Sequence, residues 1–110
     1  MNILKSTEGL SKKDLYNLTR SPEIKKMSDV VGQEINVEKY LLREDLNNAG
    51  EDVSILSIMD ETGAVYATNS MTAQSEFEYI LDLMAGDPFT VKVVQGTSKA
   101  GRTYITLVLK

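Results

Sequence analysis

Phe89-Thr90-Val91-Lys92-Val93-Val94-Gln95-Gly96-Thr97-Ser98-Lys99-Ala100-Gly101-Arg102-Thr103-Tyr104-Ile105-Thr106-Leu107-Val108-Leu109 reads as two strands joined by a short glycine loop. Phe89, Val91 and Val93 alternate on one face of the first strand, Phe89 to Gln95. Thr103, Ile105, Leu107 and Leu109 alternate on the second, Arg102 to Leu109. The stretch is also cationic, in a chain whose net charge is −4. A local reversal of charge calls for a reason, and an anionic partner supplies one.

The elements upstream set this pair in context. Phe77, Ile80, Leu81 and Met84 recur at helical spacing in a segment that Thr72 caps and that runs to about Ala85. Gly86-Asp87-Pro88 stops it. Before the helix come three strands: Ile35 to Arg43, Asp52 to Met59, and Ala64 to Asn69. Asn47-Asn48-Ala49-Gly50 turns the chain after the first, and Asp60-Glu61-Thr62-Gly63 forms a tight hairpin after the second. The order β-β-β-α-β-β predicts a mainly β protein, a five-stranded OB-fold barrel spanning residues 29–110. Residues 1–28 are expected to form a short helical extension. Ser11 with Asp14 marks a capping box, Pro22 ends that element, and Ser28 to Gly32 makes one further turn.

Charge is segregated along the chain. Residues 1–43 carry eight Lys/Arg and six Asp/Glu, residues 44–87 carry ten acids and no Lys or Arg, and residues 88–110 carry four cations and no acid. Cysteine and histidine are absent, which excludes disulfides, thiol catalysis, zinc fingers and imidazole acid–base chemistry. The chain has no EF-hand spacing and no glycine-rich phosphate loop. No enzyme and no cofactor is expected. No apolar run approaches the ~20 residues that cross a bilayer, and Met1 to Ser6 lacks the apolar core of a signal peptide, so a cytoplasmic protein without membrane contact is expected.

An OB barrel binds oligonucleotides on the face of its second and third strands and through its 1–2 and 4–5 loops. The 4–5 loop here is Gly96 to Gly101, so the basic anomaly and that loop coincide. Single strands are held by cations on phosphates and aromatic faces under bases. The candidate cations are Lys39 and Arg43 on the first strand, Lys92 on the fourth, and Lys99 and Arg102 around the last loop. The candidate stacking side chains are Tyr40, Tyr66 and Tyr104. Gly96 and Gly101 would let backbone approach a ligand closely. A solvated face remains the bland alternative for any one of these charges, rim-of-core packing for Tyr40, and stapling of the adjacent hairpin turn for Tyr66. A second reading of the whole is a protein–protein adaptor that uses the acidic 44–87 surface.

Phe89 to Gly101, together with Gly63-Ala64-Val65-Tyr66 ahead of a helix, resembles the small single-stranded DNA-binding proteins of protein-primed, phi29-like Bacillus phages. The resemblance covers roughly residues 50–108. It implies a sequence-independent coat for single-stranded DNA in phage replication, with replication proteins as further partners. It also carries over Lys92, Lys99 and Tyr66 as positions of interest.

Overall fold

The strand foreseen over Ile35–Arg43 is two strands, and the break between them organises the molecule. The computed structural model describes residues Met1–Lys110. In chain order it contains β1 (Asn2–Ser6), α1 (Lys12–Thr19), β2 (Lys25–Lys26), a short 3-10 turn (Met27–Asp29), β3 (Glu34–Asn36), β4 (Lys39–Leu46), β5 (Asp52–Met59), β6 (Val65–Thr68), α2 (Met71–Met84), β7 (Thr90–Thr97) and β8 (Thr103–Leu109). The protein is mainly β, with eight strands in two sheets and two helices. One sheet runs β1-β4-β5-β6-β2 and the other β3-β7-β8. Between β3 and β4 the chain changes sheets: the Val37 amide donates to the Phe89 carbonyl and the next amide, Glu38, to that of Met59. A strand that turns such a corner serves both sheets.

The central strands are covered on both faces, which explains adjacent apolar pairs such as Leu41-Leu42 and Ile58-Met59. Leu42, Leu56, Ile58 and Tyr66 join Phe77, Val91, Val93 and Leu107 in the main core, between the sheets and α2. Leu41, Met59 and Val65 point the other way and are buried with Leu18 of α1. The capping box read at Ser11 is present: Ser11 Oγ accepts from the Asp14 amide at 3.0 Å and the Asp14 carboxylate accepts from the Ser11 amide at 3.1 Å.

The amino terminus differs from the helical extension expected. Asn2 to Ser6 forms a strand on β4, from the Asn2–Glu44 pair to Ser6–Leu41, with an irregularity between Ile3 and Lys5. The five-residue segment carries no period-two pattern, so only its pairing reveals it.

Helix α2 begins at Ser70 rather than Thr72. Ser70 has extended backbone angles, and its hydroxyl accepts from the Ala73 amide at 3.2 Å while donating to the Ile105 carbonyl. One side chain thus caps the helix and ties it to β8. Ser70→Ala is expected to cost about 0.5–2 kcal/mol, measured by urea denaturation. Thr72→Ala should change stability by less than about 0.5 kcal/mol; equal losses for both would reassign the cap. The helix ends on Ala85 in the left-handed region (φ 50°), followed by Gly86 (φ 97°). No helix is long and apolar enough to cross a membrane.

Strands β7 and β8 pair from Val91–Leu109 to Thr97–Thr103. The turn between them is tighter than Gly96–Gly101. Ser98 N–H donates to the Arg102 carbonyl at 2.8 Å, and Gly101 takes φ +80°. No ladder joins β6 to β8, so the two sheets do not close into a barrel. The outer edge of β6 is occupied instead by β2, in parallel.

Candidate nucleic-acid interface

The open seam between β6 and β8 is a groove of about 840 Å³. Ile55 and Ala67 line it from the central sheet, Lys26 from β2, Met71 from the start of α2, and Gln95 and Tyr104 from the β7–β8 ribbon. The parallel register places Lys26 beside Ala67. Tyr104 is 38% exposed and sits opposite Gly96 in the β7–β8 ladder. A Cβ on Gly96 would lie 2.5 Å from Tyr104 Cζ. The phenol ring therefore lies across bare backbone, and only glycine leaves room for it there. Gly96, read from the sequence as a place for close ligand approach, seats its neighbouring tyrosine.

The eight candidate residues fall into three groups. Lys99, Arg102 and Tyr104 come together at the exposed end of the ribbon, within or just past the Ser98–Arg102 turn. Thr103, next to Arg102, also lines the groove. Lys92 lies farther along β7, half-buried, between Glu34 of β3 and Val108 of β8 in register. Its charge is opposed by a neighbouring acid, and it is not among the groove residues.

The remaining four are held by the fold. Arg43 is 6% exposed; its Nη1 donates to the Leu18 carbonyl at 3.3 Å and to Ser57 Oγ at 3.2 Å, and its Nε meets Asp45 at 3.4 Å. It is a buried tie between β4, β5 and α1 rather than a surface cation. Tyr66, 3% exposed, belongs to the main core, and its hydroxyl accepts from Gln33 Nε2 at 2.7 Å. Tyr40 packs edge-on against Phe77, with ring centroids 5.3 Å apart, and burial pushes its phenol pKa up. Lys39 pairs with Asp14 at 2.9 Å. Two covers account for these placements: the α2 side of the core takes Tyr40 and Tyr66, and α1 takes Lys39 and Arg43. Helix α1 covers the outer face of β4 and β5 that a bare sheet would offer to solvent.

The Lys39 contact, together with the Ser11 amide, holds the Asp14 carboxyl below its ordinary range. A carboxyl that ionises more readily in the folded protein stabilises it above the ordinary carboxylate pKa, and that contribution is lost as pH falls through the folded value. Lys39→Ala should move the Asp14 pKa back upward, followed by NMR titration of its carboxyl carbon. An unmoved midpoint would assign the shift to the cap alone.

No periodic pattern marks Lys26 in the sequence, because a two-residue strand shows no period. The adjacent cations Lys25-Lys26 were the available signal. Both are exposed, and Lys25 Nζ stands 5.8 Å from the Tyr66 ring centroid. No group of three or more acids is placed to hold a metal ion.

The groove thus combines an exposed aromatic face with one cation, Lys26, in its wall, and the turn that carries Lys99 and Arg102 leads directly into its residue Thr103; aromatic faces and cations together are what hold single strands. The family model described as phage single-stranded DNA-binding protein, of the phi29 type, matches residues 3–110. No curated protein and no solved structure matches the chain. The match takes in β1 and α1 as well as the 50–108 stretch that carried the resemblance, so the chain belongs to the phi29-type phage single-stranded DNA-binding protein family.

Proposed function

We propose that the protein coats single-stranded DNA without sequence preference and without catalysis, and that the seam between β6 and β8 is its track. The carrying observation is Tyr104, seated on Gly96 and facing the groove that Lys26 lines. Every base has a π face, so a tyrosine platform accepts any of them. Lys26, Lys99 and Arg102 then hold phosphates, and none of them is in an ion pair.

The strand order supports an OB-type reading. Taken together, β3 and β4 act as one bent first strand that pairs with β5 on one side and β7 on the other. Strands β5, β6, β7 and β8, with α2 after β6, supply the rest. In this reading β2 takes the edge of β6 that barrel closure would use, and so holds the groove open.

Anisotropy titration with labelled oligo-dT, oligo-dA and a duplex of equal length, at two salt concentrations, tests the proposal. Both single strands should bind with similar affinity and the duplex much more weakly. Three or four phosphate contacts give a log–log salt slope of about −2 to −3. Equal affinity for the duplex, or a strong preference for one base, would overturn it.

A further inference from the structure

Helix α1 has two faces of opposite character. Leu15 and Leu18 turn inward to the second core, whereas Lys12, Lys13, Tyr16 and Arg20 are exposed, and Tyr16 is 55% exposed. Their three- and four-residue spacing puts them along one side of the helix and its carboxyl end. None of the three cations belongs to an ion pair. The one acid of the helix, Asp14, is occupied by the Ser11 cap and by Lys39. The other helix is the reverse: the exposed residues of α2 include Glu76, Glu78 and Asp82 and no cation. A polyanion is therefore drawn toward α1 and repelled from α2.

The helix is also tied to the strands that line the groove. The Leu18 carbonyl, in the last turn of α1, accepts from Arg43. Arg43 lies directly opposite Ile55 in the β4–β5 register, and Ile55 lines the groove. Arg20 is five residues from Lys25, at most about 18 Å along the chain. A strand that left the groove at Lys26 and followed the chain back would pass Arg20, then Tyr16, then Lys12 and Lys13, over a helix about 12 Å long.

We propose that this face of α1 is a second segment of the single-stranded DNA track, with Lys12, Lys13 and Arg20 on phosphates and Tyr16 under a base. The inference rests on the groove reading and extends it, so that a long strand runs from the groove onto the helix while a short one fills the groove alone.

The test compares a 6-nucleotide and a 20-nucleotide oligo-dT on the intact chain and on the K12A/K13A/R20A variant. Alanine favours helix at Lys12 and Lys13, and Arg20 lies past the helix end with no side-chain partner, so the fold should persist, checked by circular dichroism. Affinity for the 6-mer should stay within about twofold, while the 20-mer weakens about tenfold or more at low salt. Its salt slope should become shallower by about 2, since each lost single-strand phosphate contact removes roughly 0.7. Unchanged 20-mer affinity and slope overturn the inference, as does an equal loss for both lengths. Photo-crosslinking of the unaltered protein to a 4-thiothymidine 20-mer separates the two proposals. Label on both tryptic peptides, 14–20 with Tyr16 and 103–110 with Tyr104, supports both. Label on 103–110 alone overturns the α1 segment and leaves the groove standing, and label on 14–20 alone overturns the groove.

Discussion

Replacing Arg43 by alanine is expected to lower stability by about 2–4 kcal/mol, because it strips buried polar groups of their partner. Ser57 is fully buried and the Leu18 carbonyl sits at the end of α1; both accept from the same guanidinium nitrogen. With the guanidinium gone, neither has another donor among the contacts of the structure, and the space left by the aliphatic stem is a cavity between β4, β5 and α1. Asp45 also loses its side-chain partner, although its carboxyl is held low first by the Leu46 amide and only then by Arg43. In a domain of this size the loss corresponds to a fall in Tm of roughly 8–20 °C. Below the unfolding transition, affinity for a 6-nucleotide oligo-dT should remain within about twofold of the unaltered protein. Urea melts and anisotropy on the same samples read both quantities. A stable variant that binds weakly would return Arg43 to the interface and remove it from the core.

The largest expected effect on binding is at Tyr104. Tyr104→Ala removes the groove's exposed aromatic face and should cost about 1–3 kcal/mol, or roughly 5- to 150-fold in affinity. The ring is partly exposed, so stability should change by less than about 1 kcal/mol. Tyr104→Phe keeps the π face and should bind nearly as the unaltered protein does. Gly96→Ala provides an independent route to the same residue. The new Cβ would press on Tyr104 Cζ, Oη and Cε2, the free end of an exposed side chain. The ring swings away more readily than the strand moves, so binding should weaken while the fold holds. Because both changes act through one ring, the Gly96→Ala/Tyr104→Ala double variant should bind no worse than Tyr104→Ala alone. Full additivity of the two losses, or unaltered binding by Tyr104→Ala, would show that the ring does not stack.

Much of the scaffold is legible in the amino-acid sequence. Strands β7 and β8 are neighbours in sequence, alternate cleanly and meet in a five-residue turn, so local pattern and tertiary pairing coincide. Helix α2 declared itself through Phe77, Ile80, Leu81 and Met84, and the Asp60–Gly63 turn through its composition. The capping box from Ser11 to Asp14 is a four-residue signal and equally plain. Strand β1 was not legible, because Asn2 to Ser6 becomes a strand only by pairing with residues some forty positions away. The sheet change at Val37 and Glu38 was hidden for the same reason: its cause is the carbonyls of Phe89 and Met59.

The candidate site divides along the same line. Lys99, Arg102 and Tyr104 could be grouped from sequence, since a strand and its turn keep near residues near. Lys39, Arg43, Tyr40 and Tyr66 could not be sorted. A period-two pattern separates the two faces of a strand but does not say what covers each face. In this chain α1 lies over one face and α2 packs against the core on the other, so a surface lysine becomes an ion pair and a surface arginine a buried tie. The residue pattern alone carried the class of element, the main turns and the family resemblance, because these depend on local spacing and residue chemistry. Burial, the open seam and the company that Lys26 keeps with Tyr104 arose from packing between segments distant in the chain, which no local period records.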